Sequence, residues 1–438
     1  MFIKDFDHFA DRRKIRFGHE YFETMLPFLE GDAWKALRSK ISPAFSSAKL
    51  KGMHKIISEV GNDFTEHVER ISTNNSEINV KHLASRYFLQ IAALTSIGVE
   101  ILAFDDDKAG HIFQAIMNVT SRDSSPLQTL KGIITVAFPK LAELLNVEIF
   151  DRKSVNFIGD MIEQTVKIRK EKTGGNRRND MVDLLLEAFE GNEQDKDQSK
   201  SENLLPTKKG HTIPINNAHA SLISNIFIMF MAGIATNPTF FSVCLYFLAM
   251  NPCMQDKLFN MIKDAVNIGN GDCGDELLDY STITSMPYLD MFIREALRHY
   301  PIGEIERVCV KEYTVPGTNC TIPKGMVVQI PNFGMMMDEK YFPNPTIFNP
   351  DHFAVENKRN RDKSAFLAFG IGPRNCVGKS IALLQLKIGI VYLVYKFKLM
   401  SCDKTTPRLE VDPNQRSFIT LPEPKGGVWV RFEKRNRN

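Results

Sequence analysis

The sequence lacks several features by which other classes of protein are identified. Its 438 residues contain only seven cysteines, an odd number without a Cys-x-x-Cys pair, which argues against a disulfide framework and a zinc site. With 55 basic and 52 acidic residues, the formal net charge is only +3, so the chain has no broad positive field to attract nucleic acid. We therefore expect a reducing, cytosol-facing compartment and no nucleic-acid partner.

The N-terminus has no basic region followed by an apolar stretch, so the sequence predicts neither a signal peptide nor a membrane anchor there. Charged residues are also absent from 226–250, a run long enough to span a bilayer. The middle of this run contains Thr236, Asn237, Pro238 and Thr239. A lipid-exposed helix tolerates polar groups and a missing backbone donor poorly at that depth. We expect a buried helix through the core of a large protein.

Hydrophobic residues make up 43% of the chain, enough for a large core, and their spacing is mostly helical. Apolar residues recur at intervals of three and four within 49–60 and 180–187. The pairs Asn251-Pro252 and Met286-Pro287 predict helix boundaries, because the residue before a proline disfavours the helical conformation.

A polar run at about 191–212 predicts a flexible surface loop. Residues 313–330 alternate β-branched residues with Gly and Pro, which predicts a small sheet. Two further strands are predicted at 416–421 and 428–432. The sequence thus predicts one mainly α domain over residues 1–438 with a minor β sheet.

Cys376 lies at the end of the run Phe369-Gly-Ile-Gly-Pro-Arg-Asn-Cys, directly before a predicted buried helix at 379–393. A helix N-terminus favours the thiolate, the form of cysteine that binds iron, because its free N–H groups and macrodipole attract negative charge. An inert core cysteine and a cysteine nucleophile are the alternatives, although no pattern of a nearby histidine base is visible.

Glycines surround this cysteine. Gly370 and Gly372 allow a turn without side-chain clashes, and Gly378 would let a flat macrocycle approach the backbone closely. Arg374 supplies a cation for an acidic cofactor group. Taken one at a time, the glycines could equally be ordinary turn residues.

The sequence around Cys376 strongly resembles the cysteine-ligand loop of the cytochrome P-450 family. The resemblance lies in the fixed offsets between Phe369, Gly372, Arg374, Cys376 and Gly378. The resemblance covers essentially the whole chain and is greatest to the animal microsomal group that oxidises steroids and foreign compounds. It implies the cytochrome P-450 fold, heme b (iron protoporphyrin IX) as cofactor and Cys376 as the axial iron ligand.

Glu295 and Arg298 are three residues apart on a predicted helix, a spacing that alone usually gives a surface ion pair. Beside the cysteine loop, they resemble the Glu-x-x-Arg pair that locks the core of the family. The family completes this network with an arginine, but His352 occupies the matching position in Pro350–Phe353. Imidazole has fewer donors than guanidinium, so we expect a weaker or differently arranged network.

The segment from Ala232 to Thr236 is similar to the oxygen-binding segment of the family. The resemblance implies that Thr236 bonds the iron-bound oxygen, while Ala232 and Gly233 leave room beside the iron. Ala235 occupies the position of an acid, which weakens the prediction of proton delivery, and Pro238 is expected to kink the helix. The alternative is a small-residue helix contact with Thr236 bonded back to a carbonyl.

Four residues resemble the contacts that hold the haem propionates. Trp34 and Arg38 are spaced to share one helical face, and in isolation they would be a partly buried Trp beside a solvated Arg. By resemblance, both contact a propionate, and so do Arg12 and Arg307. Guanidinium suits this bidentate task.

The resemblance implies a haem-thiolate monooxygenase on the cytosolic face of the endoplasmic reticulum, where the membrane surface is a partner. NADPH-cytochrome reductase, and also cytochrome b5, would deliver electrons near Lys379 and Lys387 to oxidise a small lipophilic substrate. That substrate would bind between 14–30, the helix around Phe138, and 302–306.

Two other functions remain open. Ala235 favours an isomerase or dehydratase that rearranges peroxides without a reductase. His352, Pro238 and the start of the chain favour a haem-binding relative with impaired catalysis. Family members begin with a membrane anchor, a first helix and the first strands of the sheet, so the resemblance implies an N-terminally truncated form without them.

Overall fold

Helices dominate the chain, as the sequence predicts. The computed structural model describes residues 1–438 except 74–75, 121–124, 172–177, 179, 191–203, 206–212, 215–217, 269–275, 302, 304, 413–422 and 436–438. The α-helices within the described residues are α1 (Glu20–Glu23), α2 (Gly31–Ile41), α3 (Ser47–Ile71), α4 (Val80–Ala92), α5 (Asp106–Thr120), α6 (Pro126–Ala137), α7 (Pro139–Leu144), α8 (Arg152–Glu171), α9 (Met181–Glu190), α10 (Ala218–Met250), α11 (Pro252–Ile268), α12 (Tyr280–Ser285), α13 (Pro287–His299), α14 (Asn332–Met336), α15 (Val355–Asn360) and α16 (Lys379–Lys396).

The strands are short and form small sheets, which confirms a mainly α fold with a minor β part. They are β1 (Ile78–Asn79), β2 (Leu204–Leu205), β3 (Ile213–Pro214), β4 (Ile305–Val308), β5 (Tyr313–Thr314), β6 (Thr321–Ile322), β7 (Val327–Ile330), β8 (Phe397–Met400) and β9 (Trp429–Lys434). The loop predicted at about 191–212 lies outside the described residues, apart from β2, which pairs with β3.

Prolines mark the helix boundaries where the sequence places them. Helix α10 ends at Met250 and α11 begins at Pro252, while α12 ends at Ser285 and α13 begins at Pro287. Proline is favourable in a first helical turn because its fixed φ is already helical and its missing N–H has no partner to lose. Both predicted boundaries are confirmed.

Helix α10 runs through the centre of the molecule, where it packs against α4, α13 and α16. Among the described residues it is the one helix that is long and apolar enough to cross a bilayer by length and composition. Phe227, Phe230 and Phe241 on this helix are all nearly inaccessible and belong to the main hydrophobic core. The sequence prediction of a buried core helix is confirmed, and the helix continues through Pro238.

Two antiparallel sheets position the N-terminal segment and the C-terminus. Strand β4 pairs with β7 and also bridges to Asp11, whose carbonyl accepts from the Val308 N–H at 2.8 Å. This pairing brings residues 8–12 next to Arg307. Strand β9 lies between β1 and β8, so the prediction of a strand near 428–432 is confirmed. The partner predicted for it at 416–421 lies outside the described residues.

Candidate functional site

The loop before α16 holds Cys376 in a fixed position. Its backbone N–H donates to the Phe369 carbonyl at 2.9 Å, and Gly370 and Gly372 adopt φ angles of 71° and 72°. A side chain is strained at such angles, and a Cβ at Gly372 would also collide with the carbonyl oxygen of Phe2. Both glycines therefore lie in a turn that other residues fit poorly, as the sequence predicts.

The Cys376 thiol is accessible and is not disulfide-bonded within the described part of the chain. Surrounding protein nevertheless desolvates it, and this burial raises the pKa of the thiol. The backbone N–H of Gly378 and the charges of Arg38 and Arg12 act in the opposite direction. An open, partly desolvated sulfur beside a helix N-terminus and two cations is a site for a thiolate that binds a metal.

Arg374 lies almost completely buried behind this loop. Its guanidinium donates to the carbonyls of Ala10 and Leu29, both at 2.8 Å, and it lies 3.2 Å from the Asp11 carboxylate. Desolvation and the charge of Arg12 lower the pKa of Arg374 to about 9. Its buried Nη1 has no hydrogen-bond partner among the described residues.

Arg307 repeats this pattern on β4. It is 3% exposed, and desolvation together with the charge of Arg12 lowers its pKa to about 10. One nitrogen donates to the Glu306 carbonyl at 2.6 Å, whereas the buried Nε has no acceptor within the described residues. Desolvation also lowers the pKa of Arg12.

The three guanidinium groups repel one another, and those of Arg374 and Arg307 each keep a buried N–H without an acceptor in the described residues. This arrangement is costly unless an anion joins them. A group with two carboxylates, such as haem with its propionates, fits this cluster. Space is also left at Gly233, where an added Cβ would meet nothing within 4 Å, and at Gly378, where it would make only ordinary contacts. The residues present therefore fit a flat, dianionic cofactor.

Trp34 and Arg38 on α2 both contact the cysteine loop, Trp34 through Arg374 and Arg38 through Asn375. The Trp34 ring is buried against the Arg374 guanidinium, 4.1 Å from the ring centroid. Arg38 makes two hydrogen bonds of 2.9 Å to Asn375, one to its carbonyl and one to its side chain. Sequence reasoning missed Asn375 and Asp11, because nothing local shows that they bind arginines more than 300 residues away in the chain.

Helix α10 turns its small residues toward open space. Ala232 is exposed although it lies within a core helix, and the Thr236 hydroxyl donates to the Ala232 carbonyl at 2.9 Å. One turn further on, the Phe240 ring lies 6.3 Å from the ring of Phe369, so this part of α10 passes beside the cysteine loop. The hydrogen bond is the back-bonding geometry that the alternative interpretation of Thr236 describes.

Glu295 and Arg298 are completely buried and form a two-point ion pair, with N···O distances of 2.8 and 2.7 Å. Burial would raise the pKa of Glu295, but hydrogen bonds from Arg298, His299 and His352 outweigh it, so the pKa is well below its ordinary value of 4.5. The contribution of this carboxylate to stability is therefore present above about pH 4.5 and is lost as the pH falls further.

His352 completes the network in a different way from the arginine of the family. One ring nitrogen lies 3.1 Å from the Glu295 carboxylate and the other 2.7 Å from the Pro343 carbonyl. Arg361 donates to the His352 carbonyl at 2.6 Å and lies over the Phe342 ring. His352 therefore contacts Glu295 in this chain, and Arg361 is a member of the network that sequence reasoning missed.

A cavity of about 1770 Å³ adjoins the guanidinium cluster. Its wall includes Ile15, Phe28, Val136, Gly303 and Glu306, so it joins the three segments that the resemblance assigns to substrate binding. Cys376 and Thr236 are not among the lining residues, whereas Arg12 and Arg307 are. The cavity therefore reaches the site from the side of the arginines.

One predicted surface contact is wrong. Lys387 is 5% exposed, and its amine donates to the Thr284 carbonyl at 3.0 Å and lies 3.5 Å from Asp290. It belongs to the core between α16 and α13 and cannot meet an electron donor. Lys379 remains partly exposed, with its amine over the Phe369 ring.

An accessible thiol next to arginines with unused donors is the arrangement expected of a haem-thiolate oxidoreductase. The protein-family model described as "Cytochrome P450" matches residues 1–428. The chain is 32% identical to "Probable cytochrome P450 6w1" of Drosophila melanogaster, over 93% of the chain and 75% of that protein. It is 30% identical both to "Cytochrome P450 6B6" of Helicoverpa armigera and to "Cytochrome P450 9e2" of Blattella germanica, over 99% of the chain and 81% of each relative.

The chain belongs to the cytochrome P450 family. It is an oxidoreductase, a monooxygenase with haem iron as cofactor. The family prediction made from the residues around Cys376 is confirmed, and the relatives described above are animal proteins. The roles of the individual site residues stay predictions.

Proposed function

We propose that this monooxygenase uses heme b, whose iron Cys376 would bind, to insert one oxygen atom from O2 into a small lipophilic substrate. The observation that carries this proposal is the accessible Cys376 thiol beside arginines whose buried N–H groups lack acceptors among the described residues. Arg374, Arg307, Arg12, Arg38 and Trp34 hold the two propionates.

When bound, the haem iron supplies the activation of dioxygen. The chain supplies the surroundings. Ala232 and Gly233 leave space on the oxygen side, and the Thr236 hydroxyl, whose proton is donated to the Ala232 carbonyl, is a hydrogen-bond acceptor there. The cavity wall, with Ile15, Phe28 and Val136, orients an apolar substrate by excluding water from it.

NADPH-cytochrome reductase, and cytochrome b5 as a second donor, would dock on the side of the cysteine loop. Lys379 is the candidate contact there, because it follows the loop directly and remains partly exposed. Because Lys387 is buried, the positive charge offered to the electron donor lies at the N-terminus of α16 and does not continue along the helix.

The function can be tested with the haem-loaded protein. We expect the reduced carbon-monoxide complex to absorb at the unusually long wavelength typical of a thiolate ligand. We then expect oxygenated product from a lipophilic substrate only when reductase, NADPH and O2 are all present. A normal thiolate spectrum with no NADPH-dependent product in a broad substrate panel would contradict the monooxygenase proposal and favour a haem-binding protein with impaired catalysis.

A second candidate is a peroxide isomerase or dehydratase, favoured by Ala235, which provides no carboxylate for proton delivery. Such an enzyme would convert a fatty-acid hydroperoxide without reductant. The same preparation, supplied with hydroperoxide and no NADPH, distinguishes the two activities.

We also propose attachment to the cytosolic face of the endoplasmic reticulum membrane through α6 and α7. These helices expose several large apolar side chains, with Leu130 at 52%, Phe138 at 58% and Leu144 at 78%. Exposed apolar groups at this density mark an interaction surface rather than ordinary scatter.

Replacing Leu130 and Leu144 together by aspartate should weaken binding to phosphatidylcholine vesicles by roughly tenfold or more, because each exposed leucine buried in lipid contributes about 1.5–3 kcal/mol. Sedimentation with vesicles measures the bound fraction. Ile168→Asp, at an exposed apolar position on α8, is the control and should bind like the wild type. Equal binding by the double variant would contradict attachment through α6 and α7.

A further inference from the structure

A buried amide pair joins the helix that carries Thr236 to the helix that follows Cys376. Asn237 on α10 is 2% exposed, and its Nδ2 donates to Oε1 of Gln385 on α16 at 2.7 Å. Gln385 is 5% exposed, and its backbone carbonyl accepts from the Tyr87 hydroxyl on α4 at 3.1 Å. The amide pair therefore links α10 to α16, and the main chain of α16 is held at the same residue by a third helix.

Asn237 also faces Thr236. The Thr236 hydroxyl lies 2.9 Å from the Ala232 carbonyl and 3.5 Å from the Asn237 Oδ1. A hydroxyl has one proton, so it donates to one of these acceptors at a time. Because Nδ2 of Asn237 is committed to Gln385, the orientation of its Oδ1 beside Thr236 is fixed.

The residues on either side of Thr236 and Asn237 contribute few hydrogen bonds at this turn of α10. The side chain of Ala235 has no acceptor for the Thr236 hydroxyl. Because Pro238 has no backbone N–H, α10 also lacks the hydrogen bond to the Ile234 carbonyl at this turn. The hydrogen bond between Asn237 and Gln385 ties the same turn to α16. An amide oxygen accepts a hydrogen bond but does not take up a proton near neutral pH, so Asn237 orients the hydroxyl and does not relay protons.

We infer that Asn237, held by Gln385, is the positioning residue that sets the orientation of the Thr236 hydroxyl in this monooxygenase. The inference rests on the proposed function. In the productive reaction, O2, two electrons and two protons convert a C–H bond of the substrate to C–OH and release water. When oxygen is lost unused, the same electrons and protons reduce O2 to hydrogen peroxide, and a misplaced hydroxyl should increase that fraction.

The test is the share of NADPH electrons recovered as hydrogen peroxide by the haem-loaded protein with reductase. We expect Asn237→Ala and Gln385→Ala each to raise this share about threefold, as expected when a weak orienting interaction of roughly 0.7 kcal/mol is lost. In a Thr236→Ala background, neither substitution should raise it further, because both act through the hydroxyl. Ser242→Ala is the matched control, since its buried hydroxyl bonds the Pro238 carbonyl at 2.7 Å on the same helix.

A second measurement does not depend on turnover. The infrared stretching frequency of carbon monoxide bound to the reduced protein senses nearby dipoles. Asn237→Ala should therefore shift this frequency when Thr236 is present and leave it unchanged in the Thr236→Ala background. The Ser242→Ala control should shift neither the stretch nor the peroxide share.

Two results would overturn the inference. One is an Asn237→Ala protein with unchanged peroxide share and unchanged stretch. The other is an effect of equal size with and without the Thr236 hydroxyl, which would show that Asn237 contributes only to helix packing. If the wild type consumes no NADPH, the proposed function fails instead, and the infrared comparison alone decides the role of Asn237.

Discussion

Serine in place of Cys376 should abolish the long-wavelength band of the reduced carbon-monoxide complex and, with it, monooxygenase activity. A serine hydroxyl does not lose its proton under conditions where a cysteine thiol that binds a metal becomes a thiolate, so the iron would lose its electron-rich ligand. We expect the turnover number to fall by more than about a hundredfold, since groups that merely orient a metal ligand already contribute about 10–100-fold. Difference spectra and product formation per haem measure the two effects.

The control for this prediction is Cys253→Ser, the same substitution at an exposed cysteine on α11. It should leave the spectrum and the turnover unchanged. Haem content must be measured for both proteins, because Arg374 and Arg307 are expected to retain part of the haem when Cys376 is lost. A Cys376→Ser protein with the normal long-wavelength band would exclude Cys376 as the ligand.

The sequence predicts those parts of the molecule that depend on local chemistry. Prolines at 252 and 287 each begin a helix directly after the previous one has ended, and glycines at 370 and 372 permit left-handed turns that other residues resist. The cysteine loop could be identified for the same reason, because its conformation, its cysteine and its following helix are encoded within about 25 consecutive residues.

Contacts between distant segments could not be predicted in this way. The carboxylate beside Arg374 comes from Asp11, the turn at Gly372 is packed against the backbone of Phe2, and Arg38 binds Asn375. Two of these contacts join the cysteine loop to the N-terminal segment, which also bridges to β4, and the third joins the loop to α2. None of them leaves a trace in local periodicity. The prediction for Lys387 failed for the same reason. A lysine on a helix near the cysteine is expected at the surface, and only the fold shows that it is buried beside Asp290.

The Glu295 network depends both on local sequence and on contacts between distant segments. The spacing of Glu295 and Arg298 identifies the pair, but only the fold shows that both are completely inaccessible and that the arginine also donates to the Met336 and Pro345 carbonyls at 2.7 and 2.8 Å. Burial changes the energetics, because a paired charge that loses its partner inside a protein cannot be resolvated.

Arg298→Ala should therefore destabilise the protein by about 3–5 kcal/mol, since it leaves the Glu295 carboxylate buried without its main partner. Arg294→Ala removes the same side chain one turn earlier on α13, where the ion pair with Asp290 is partly exposed, and should cost at most about 1 kcal/mol. Urea denaturation followed by circular dichroism, at equal haem content, measures both losses. Similar losses for the two variants would show that the buried network contributes no more than a surface ion pair and that His352 and Arg361 hold this part of the core without Arg298.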